Sequence, residues 1–480
     1  MTSSPDLVMM RATDLAAAIR ARAVSAREVM QAHLDQIARH NPAANAIVSL
    51  RDPAILLAEA EAADRALAAD GPRGPLHGLP HAVKDLSATA GIATTQGSPL
   101  FRDAVPEADA LHVARIRAAG AILIGKTNVP EFGLGSHSYN TVFGTTRNAY
   151  APDRTAGGSS GGAAVALALR MVPLADGSDH GGSLRNPAAF NGVLGLRPSG
   201  GRVPGNTDEV FLPPLGVNGP MARSVADLGL LLSVQAGYDP RTPMAIRQDP
   251  AVFAAPQARD LAGLRVGWIG DFGGHLPFEP GVLALCEDGL GVLAGEGARI
   301  EPVVPDFDPE AIWQAWLVLR HWLAGASLAP LWRDPAKRAL LKPEAAWEAE
   351  QGMAVSAYAV HAASVTRTAW YQCVRRLFER FDVLALPSAQ VFPFDAALTW
   401  PRAIAGRTMD TYHRWMEVVV PVTMSGCPAI SLPVGLGPAG LPMGMQLVAR
   451  NHGELELLGI AAAYEAATGF DRVLPPALRG

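Results

Sequence analysis

Apolar and polar positions along the chain switch between a period near 3.6 and a period near 2, and each switch marks a change from helix to strand. In the first fifty residues the apolar positions keep helical spacing. Ser25-Ala26-Arg27-Glu28 has the serine-then-glutamate spacing of a capping box. Val29, His33, Leu34 and Ile37 follow on one face, and Asn41-Pro42 ends the run. A second helix is predicted over Pro53–Ala69. GPRGPLHGLP then reads as a loop and HAVKDL as a short strand. A helix through Ala108–Ala119 precedes the strand AILIG. A long loop rich in Gly, Asn and Pro runs from Lys126 to Ser160. AAVALALRM is then a helix, VPLAD a strand, SLRNPAAF a short helix and VLGLRP a strand. Beyond Arg223, SVADLGLLLSVQAG and GVLALCEDGLGVLAGEGA are helical, and LRVGWIGDF, FDVLALPSA, PAISLPVG and GMQLVA read as strands. The stretch from Pro309 to Arg380 is mostly helical, and HGELELLGIAAAYEAATG closes as a helix. Such alternation predicts an α/β fold, a single large α/β/α layered structure around a mixed, mostly parallel central sheet. No internal repeat or interdomain linker interrupts it. The chain therefore reads as one domain over 1–480, with a core over about 70–205 and a variable, mostly helical region over about 305–415.

Composition narrows the class. Of 480 residues, 49% are hydrophobic and 18% charged, enough apolar surface for a large core. The net charge is −5 with both signs scattered, and no basic block points to nucleic acid or an anionic membrane. Cys286, Cys373 and Cys427 are too sparse for a disulfide framework or a zinc ribbon. MTSSPDLVMMRATDL lacks the pattern of a signal peptide, and no apolar stretch reaches the roughly 20 residues of a membrane span. A cytoplasmic, reducing location is expected. Eight of the nine tryptophans fall between Trp313 and Trp415, which suits a packed helical core or the wall of a pocket for a bulky apolar group.

Two motifs mislead. Gly120 to Thr127 matches the phosphate-loop pattern GxxxxGK[ST], but its variable positions are Ala, Ile, Leu and Ile, which belong in the strand itself, and Asn128 and Pro130 oppose an immediate helix. Gly435 to Gly440 matches GxGxxG, yet it contains Pro438 and leads into another strand, so a hairpin turn is expected.

The candidate chemistry lies in two glycine- and serine-rich runs, GGSSGG at Gly157–Gly162 and DHGGS at Asp179–Ser183. The first opens an apolar helix. The second follows a strand and opens another helix, where α/β proteins place reactive groups. Ser183 is thereby set beside free backbone N–H groups, a ready oxyanion site. A serine hydroxyl needs a base. No histidine stands in an obvious triad order. Lys84, inside the strand HAVKDL, can accept a proton if it is buried, because desolvation lowers its pKa; exposed, it is a surface partner for Asp85.

At this point the chain resembles the amidase signature family. The matching segments are AVKD around Lys84, GKTNVPEF at Gly125–Phe132, FGTTRN at Phe143–Asn148, GGSSGG, and GSDHGGSLRNPAAFNGVLGLRPS at Gly177–Ser199, followed by GCPAISLPVG and GLPMGMQLV. The resemblance spans nearly the whole chain and is densest from Leu79 to Pro204. It implies the amidase signature fold and a Ser–cis-Ser–Lys triad, with Ser183 as nucleophile, Ser159 as bridge after a cis peptide from Gly158, and Lys84 as distal base. It implies an oxyanion hole from the N–H groups of His180, Gly181, Gly182 and Ser183, and supporting roles for Ser160, Asp179 and Arg185. Gln96 and the segment Gly133–Ser138, with Gly133, Gly135 and Ser136, are expected to line the substrate pocket. The implied reaction is hydrolysis of a carboxylic amide through an acyl-serine, with no metal or cofactor. The expected partners are a small-molecule amide, tilted towards aryl or bulky apolar groups, and water, with the chain as a homodimer. The alternative is the amidase subunit of a tRNA-dependent glutamine amidotransferase. Departures from the family are His180, where Thr is commoner, and Ala156 in place of Pro. Asn186 and Asn191 stand where glutamine-using members often carry Gln and Cys.

Overall fold

The computed structural model describes residues 4–205, 209–212 and 215–479, so part of the N-terminal stretch lies outside the described residues. Eleven strands form one sheet: β1 (Ile47–Val48), β2 (Pro80–Lys84), β3 (Ile122–Thr127), β4 (Leu174–Asp179), β5 (Leu194–Arg197), β6 (Val217–Ala222), β7 (Arg265–Trp268), β8 (Arg299–Pro302), β9 (Val383–Pro387), β10 (Ala429–Leu436) and β11 (Pro442–Val448). Their spatial order is β1-β3-β2-β4-β6-β5-β10-β11-β9-β7-β8, with helices on both sides.

The sheet is mixed. Four neighbour pairings are parallel, β3/β2, β2/β4, β9/β7 and β7/β8, and six are antiparallel. The antiparallel share exceeds the sequence expectation for two reasons. β6 inserts between β4 and β5. GLGPAG supplies the last two residues of β10, Gly435 and Leu436, and then the turn of the hairpin β10/β11, as its Pro438 suggested. Most of the apparent phosphate loop is strand β3, Ile122–Thr127, buried along its length, so these residues are paired in the sheet and do not form a loop.

Local signals account for most boundaries. Ser25 accepts from the Glu28 N–H while Glu28 reaches back to Ser25, a complete capping box opening the helix Ala26–Ala44. That helix runs past Pro42 and stops at Asn45 in the left-handed region, rather than at Asn41-Pro42. The helix Gly161–Ala168 is buried on every side, so small residues are required. A Cβ at Gly162 would lie 2.3 Å from the Asn128 nitrogen. Among the described residues, no helix is long and apolar enough to cross a membrane.

This topology fixes where the chemistry sits. β2 and β4 are parallel neighbours, so their last residues, Lys84 and Asp179, reach the same edge of the sheet. The chain returning from β3 through the helix Gly161–Ala168 to β4 presents that helix's N-terminus, with Ser159 and Ser160, at the same edge.

Candidate active site

Lys84 is fully buried, and its Nζ reaches four oxygens. It donates to Ser159 Oγ (2.8 Å), Ser160 Oγ (2.8 Å), Ser178 Oγ (2.9 Å) and the Ser178 carbonyl (3.2 Å). Burial pushes the ammonium from its ordinary 10.5 down to about 7, against the opposing pull of Asp176 and Asp179. An amine that is half neutral near pH 7 can accept a proton from a hydroxyl it touches.

Ser159 follows a cis peptide from Gly158 and is 2% exposed, whereas Ser183 is 7% exposed. The two serine runs are tied together where the Ser160 N–H donates to the Ser183 carbonyl (3.3 Å). The N–H groups of His180, Gly181 and Ser183 make no hydrogen bond to any described residue. The Gly182 N–H differs: it donates to Asp179 Oδ1 (2.9 Å) and is turned inward. Gly182 itself holds φ +89°, and a Cβ there would lie 2.6 Å from Val419 Cγ2.

Asp179 organises this turn. Its carboxylate accepts from the Gly182 and Leu184 N–H groups, from Arg185 Nε and Nη2 (both 3.0 Å), and from Arg197 Nη1 (3.0 Å). Burial alone would raise its pKa, but the Arg185 and Arg197 guanidiniums hold it well below the usual carboxylate range. Arg185 also donates to Val419, Gln446 and Thr423, which locks the turn to β11 and the helix that ends at Ser425.

Asp176, in the middle of β4, accepts the Lys84 backbone N–H (3.2 Å) and lies 3.1 Å from His81 Nε2 and 3.5 Å from His112 Nε2. Burial opposes its charge, but hydrogen bonds from His112 and His81 bring its pKa far down.

The expected pocket residues divide. Gly133 stands at the site: a Cβ there would lie 3.4 Å from Ser159 Oγ. Gly135 backs onto the Tyr412 ring. The Ser136 hydroxyl donates to the Gly158 carbonyl (2.7 Å) and lies 2.8 Å from the Asn186 side-chain amide, so it is engaged within the protein. Gln96 has φ +54°, and its carbonyl accepts the Phe132 N–H (2.8 Å). Asp176, Ser178 and Arg197 carry no sequence signal of their own, although Ser178 and Arg197 lie inside the segment Gly177–Ser199 that carries Ser183. Trp316 stands out in the sequence only as one of the clustered tryptophans; its ring lies 3.1 Å from a Cβ built at Gly181. Among the described residues, His275, Glu310 and Glu417 are close enough to share a metal ion, but Arg414 already pairs with Glu310 (2.6 Å) and Glu417 (2.9 Å).

The family model for amidases matches residues 28–458. The chain belongs to the amidase family. Within it, the chain is 37% identical over 493 residues to the A-subunit of the glutamyl-tRNA(Gln) amidotransferase of Acidothermus cellulolyticus, covering 96% of this chain and 95% of that one. It is 33% identical over 475 residues to an acylamidase of Rhodococcus erythropolis, covering 96% of each. Its structure is similar to that of a bacterial aryl acylamidase of the amidase signature family, with a TM-score of 0.90 at 28% identity over 96% of this chain and 97% of the other. This amidase is a hydrolase acting on amide C–N bonds.

Proposed function

We propose that this amidase works alone on small-molecule amides through an acyl-serine on Ser183. The observation that carries the reading is the buried Lys84 amine, held 2.8 Å from the Ser159 hydroxyl at the sheet edge where Ser183 also stands. In this reading neutral Lys84 takes the Ser159 proton as Ser159 takes the Ser183 proton, and Ser183 Oγ attacks the carbonyl. The free N–H groups of the 180–183 turn receive the developing oxyanion, each worth about 3 kcal/mol in comparable sites. The proton returns through Ser159 to the leaving nitrogen as the C–N bond breaks. Water, deprotonated by the same relay, then releases the acid and restores the Ser183 hydroxyl.

An aryl or bulky apolar amide suits the surroundings, since Trp316 backs the turn at Gly181 and apolar side chains line the adjacent cavity. A homodimer is the assembly proposed, checked by light scattering of the purified chain. The second reading, ammonia supply within a tRNA-dependent amidotransferase, is favoured by the 37% identity to the amidotransferase component of Acidothermus cellulolyticus. Asn186 and Asn191 weigh against it, and so does the close geometric match to an aryl acylamidase. The test is turnover of a panel of simple amides by the isolated protein, with Ser183→Ala as blank. A fluorophosphonate should label Ser183, read by peptide mass spectrometry. Labelling elsewhere contradicts the nucleophile, and turnover only with partner proteins and tRNA favours the second reading.

A further inference from the structure

A cavity of about 200 Å³ opens beside the proposed triad. Gly133, whose Cβ position is 3.4 Å from Ser159 Oγ, forms its inner end, and Phe132, Leu323 and Leu328 give it apolar walls. Three polar side chains interrupt those walls, His180, Arg320 and Ser327, and the Ser327 hydroxyl is already spent on the Ala324 carbonyl (2.8 Å). A dry apolar cavity of about 150 Å³ takes a benzene ring, so this one holds a ring with one short substituent.

Arg320 is only 4% exposed and is rigidly held. Its Nε donates to Glu348 Oε1 (2.7 Å) and its Nη2 to the Tyr412 hydroxyl (2.7 Å). Glu348 is fixed in turn by that hydroxyl (2.6 Å) and by His321 Nδ1 (2.7 Å). The guanidinium also lies 5.2 Å over the Trp316 ring. Arg320 lines the cavity, and its Nη1 makes no hydrogen bond to any described residue, which leaves it available to a group bound there. His180 also lines the cavity, but its Nε2 is shut off from solvent and unpartnered among the described residues, so the polar group offered to a substrate here is Arg320. Burial and the Arg320 and Arg197 charges push this imidazole down to about 3, so it is neutral in use.

A purely apolar substrate would leave Arg320 Nη1 dry and unpaired, which disfavours it. An anionic group would compete with Glu348, which already balances the Arg320 charge at 2.7 Å. A neutral acceptor oxygen pairs with Nη1 and brings no new charge into the cavity. Resting on the amide-hydrolase reading above, we propose that Arg320 is a specificity-determining residue that takes a neutral carbonyl-type oxygen on a ring-sized group of the substrate.

The test compares 4-acetyl-, 4-isopropyl- and 4-carboxy-substituted benzamides, and the same substituents on acetanilide so that the ring enters from either side of the scissile bond. Wild type should turn over the acetyl compound with kcat/KM about tenfold or more above the isopropyl isostere. In Arg320→Met/Glu348→Gln, which removes both charges together, the ratio should fall to about one. Arg320→Lys, which keeps the charge and loses the fork, should give an intermediate ratio. A wild-type ratio near one, an unchanged ratio in the double variant, or preference for the carboxylate compound overturns the proposal. Turnover of the isopropyl compounds, blanked with Ser183→Ala, tests the amide-hydrolase reading separately. If no amide is hydrolysed, the same ratios are read as Kd on Ser183→Ala protein from Trp fluorescence, and the same outcomes support or overturn the role of Arg320.

Discussion

Replacing Lys84 by Met should make the protein inactive yet more stable at pH 7, and the stability difference should reverse as pH rises. The unfolded chain holds this lysine near 10.5, while burial holds it near 7 in the folded state. Between these values the unfolded chain binds the extra proton, so the lysine's penalty is full below pH 7, shrinks with rising pH and vanishes above 10.5. At about 1.4 kcal/mol per pH unit the full penalty is about 5 kcal/mol. Methionine removes it, but also removes the contacts of Nζ with Ser159, Ser160 and Ser178, worth about 3 kcal/mol at roughly 1 kcal/mol each. The variant should therefore be more stable by about 1–2 kcal/mol at pH 7 and less stable by about 2 kcal/mol at pH 9.5, with the two curves crossing roughly at pH 8. Paired urea melts across this range measure the difference, and the rest of the protein cancels. The same pKa should govern wild-type kcat/KM: a rise with pH to a plateau above about 7, and about a tenth of the plateau at pH 6. A stability difference independent of pH, or full activity in Lys84→Met, refutes the buried neutral amine.

Two further outcomes follow from the same turn of chain. Asp176→Asn removes a negative charge that holds the Lys84 pKa up, with His81, His112 and Lys126 as the other charged or titratable groups around it; the acid limb of kcat/KM should move to lower pH. A limb that stays put means Asp176 does not act on Lys84. Gly182→Ala should cost about 2–4 kcal/mol by urea melt, from a positive φ and a 2.6 Å overlap with Val419; Val419→Ala in the same chain should recover the overlap but not the φ strain.

How far the sequence could be read depends on which force sets each feature. That Lys84 and the two glycine- and serine-rich runs would meet was legible, because glycine-rich turns and a lysine in an apolar strand are local signatures; the bridging place of Ser159 rested on the family resemblance and stays a proposal. The rejection of the phosphate loop at Lys126 was legible because four apolar residues in a row make a strand, and Lys126 Nζ turns out to donate to the Ser87 carbonyl and Thr89 inside the core. Strand β6, VNGPMA, was not legible. It has no alternation and contains Gly219 and Pro220; it is a strand because β4 and β5 flank it, and Gly219 is needed since a Cβ would lie 2.4 Å from the Leu196 carbonyl. Edge strand β8, RIEP, is largely exposed and lacks an apolar face. The Arg320–Glu348 pair joins residues 28 apart on two different helices, a contact that only tertiary packing creates. The tryptophan cluster is both things at once. Trp313, Trp370 and Trp415 are core, while Trp316 is buried and also abuts the turn that holds Ser183.

The central tension of the site is that an amine meant to be neutral sits near two carboxylates, each of which favours its protonated form. Left bare, Asp176 and Asp179 would keep Lys84 charged. The fold opposes this by giving each acid its own donors before the lysine reaches it. Asp179 is flanked by Arg185 and Arg197, and Asp176 by His81 and His112. With both acids engaged, desolvation is the largest influence left on the amine. The two arginines therefore do more than shape the 180–183 turn. They screen Lys84 from the carboxylate that shapes it, so in the proposed mechanism one set of contacts would meet both the need for a rigid oxyanion turn and the need for a neutral base.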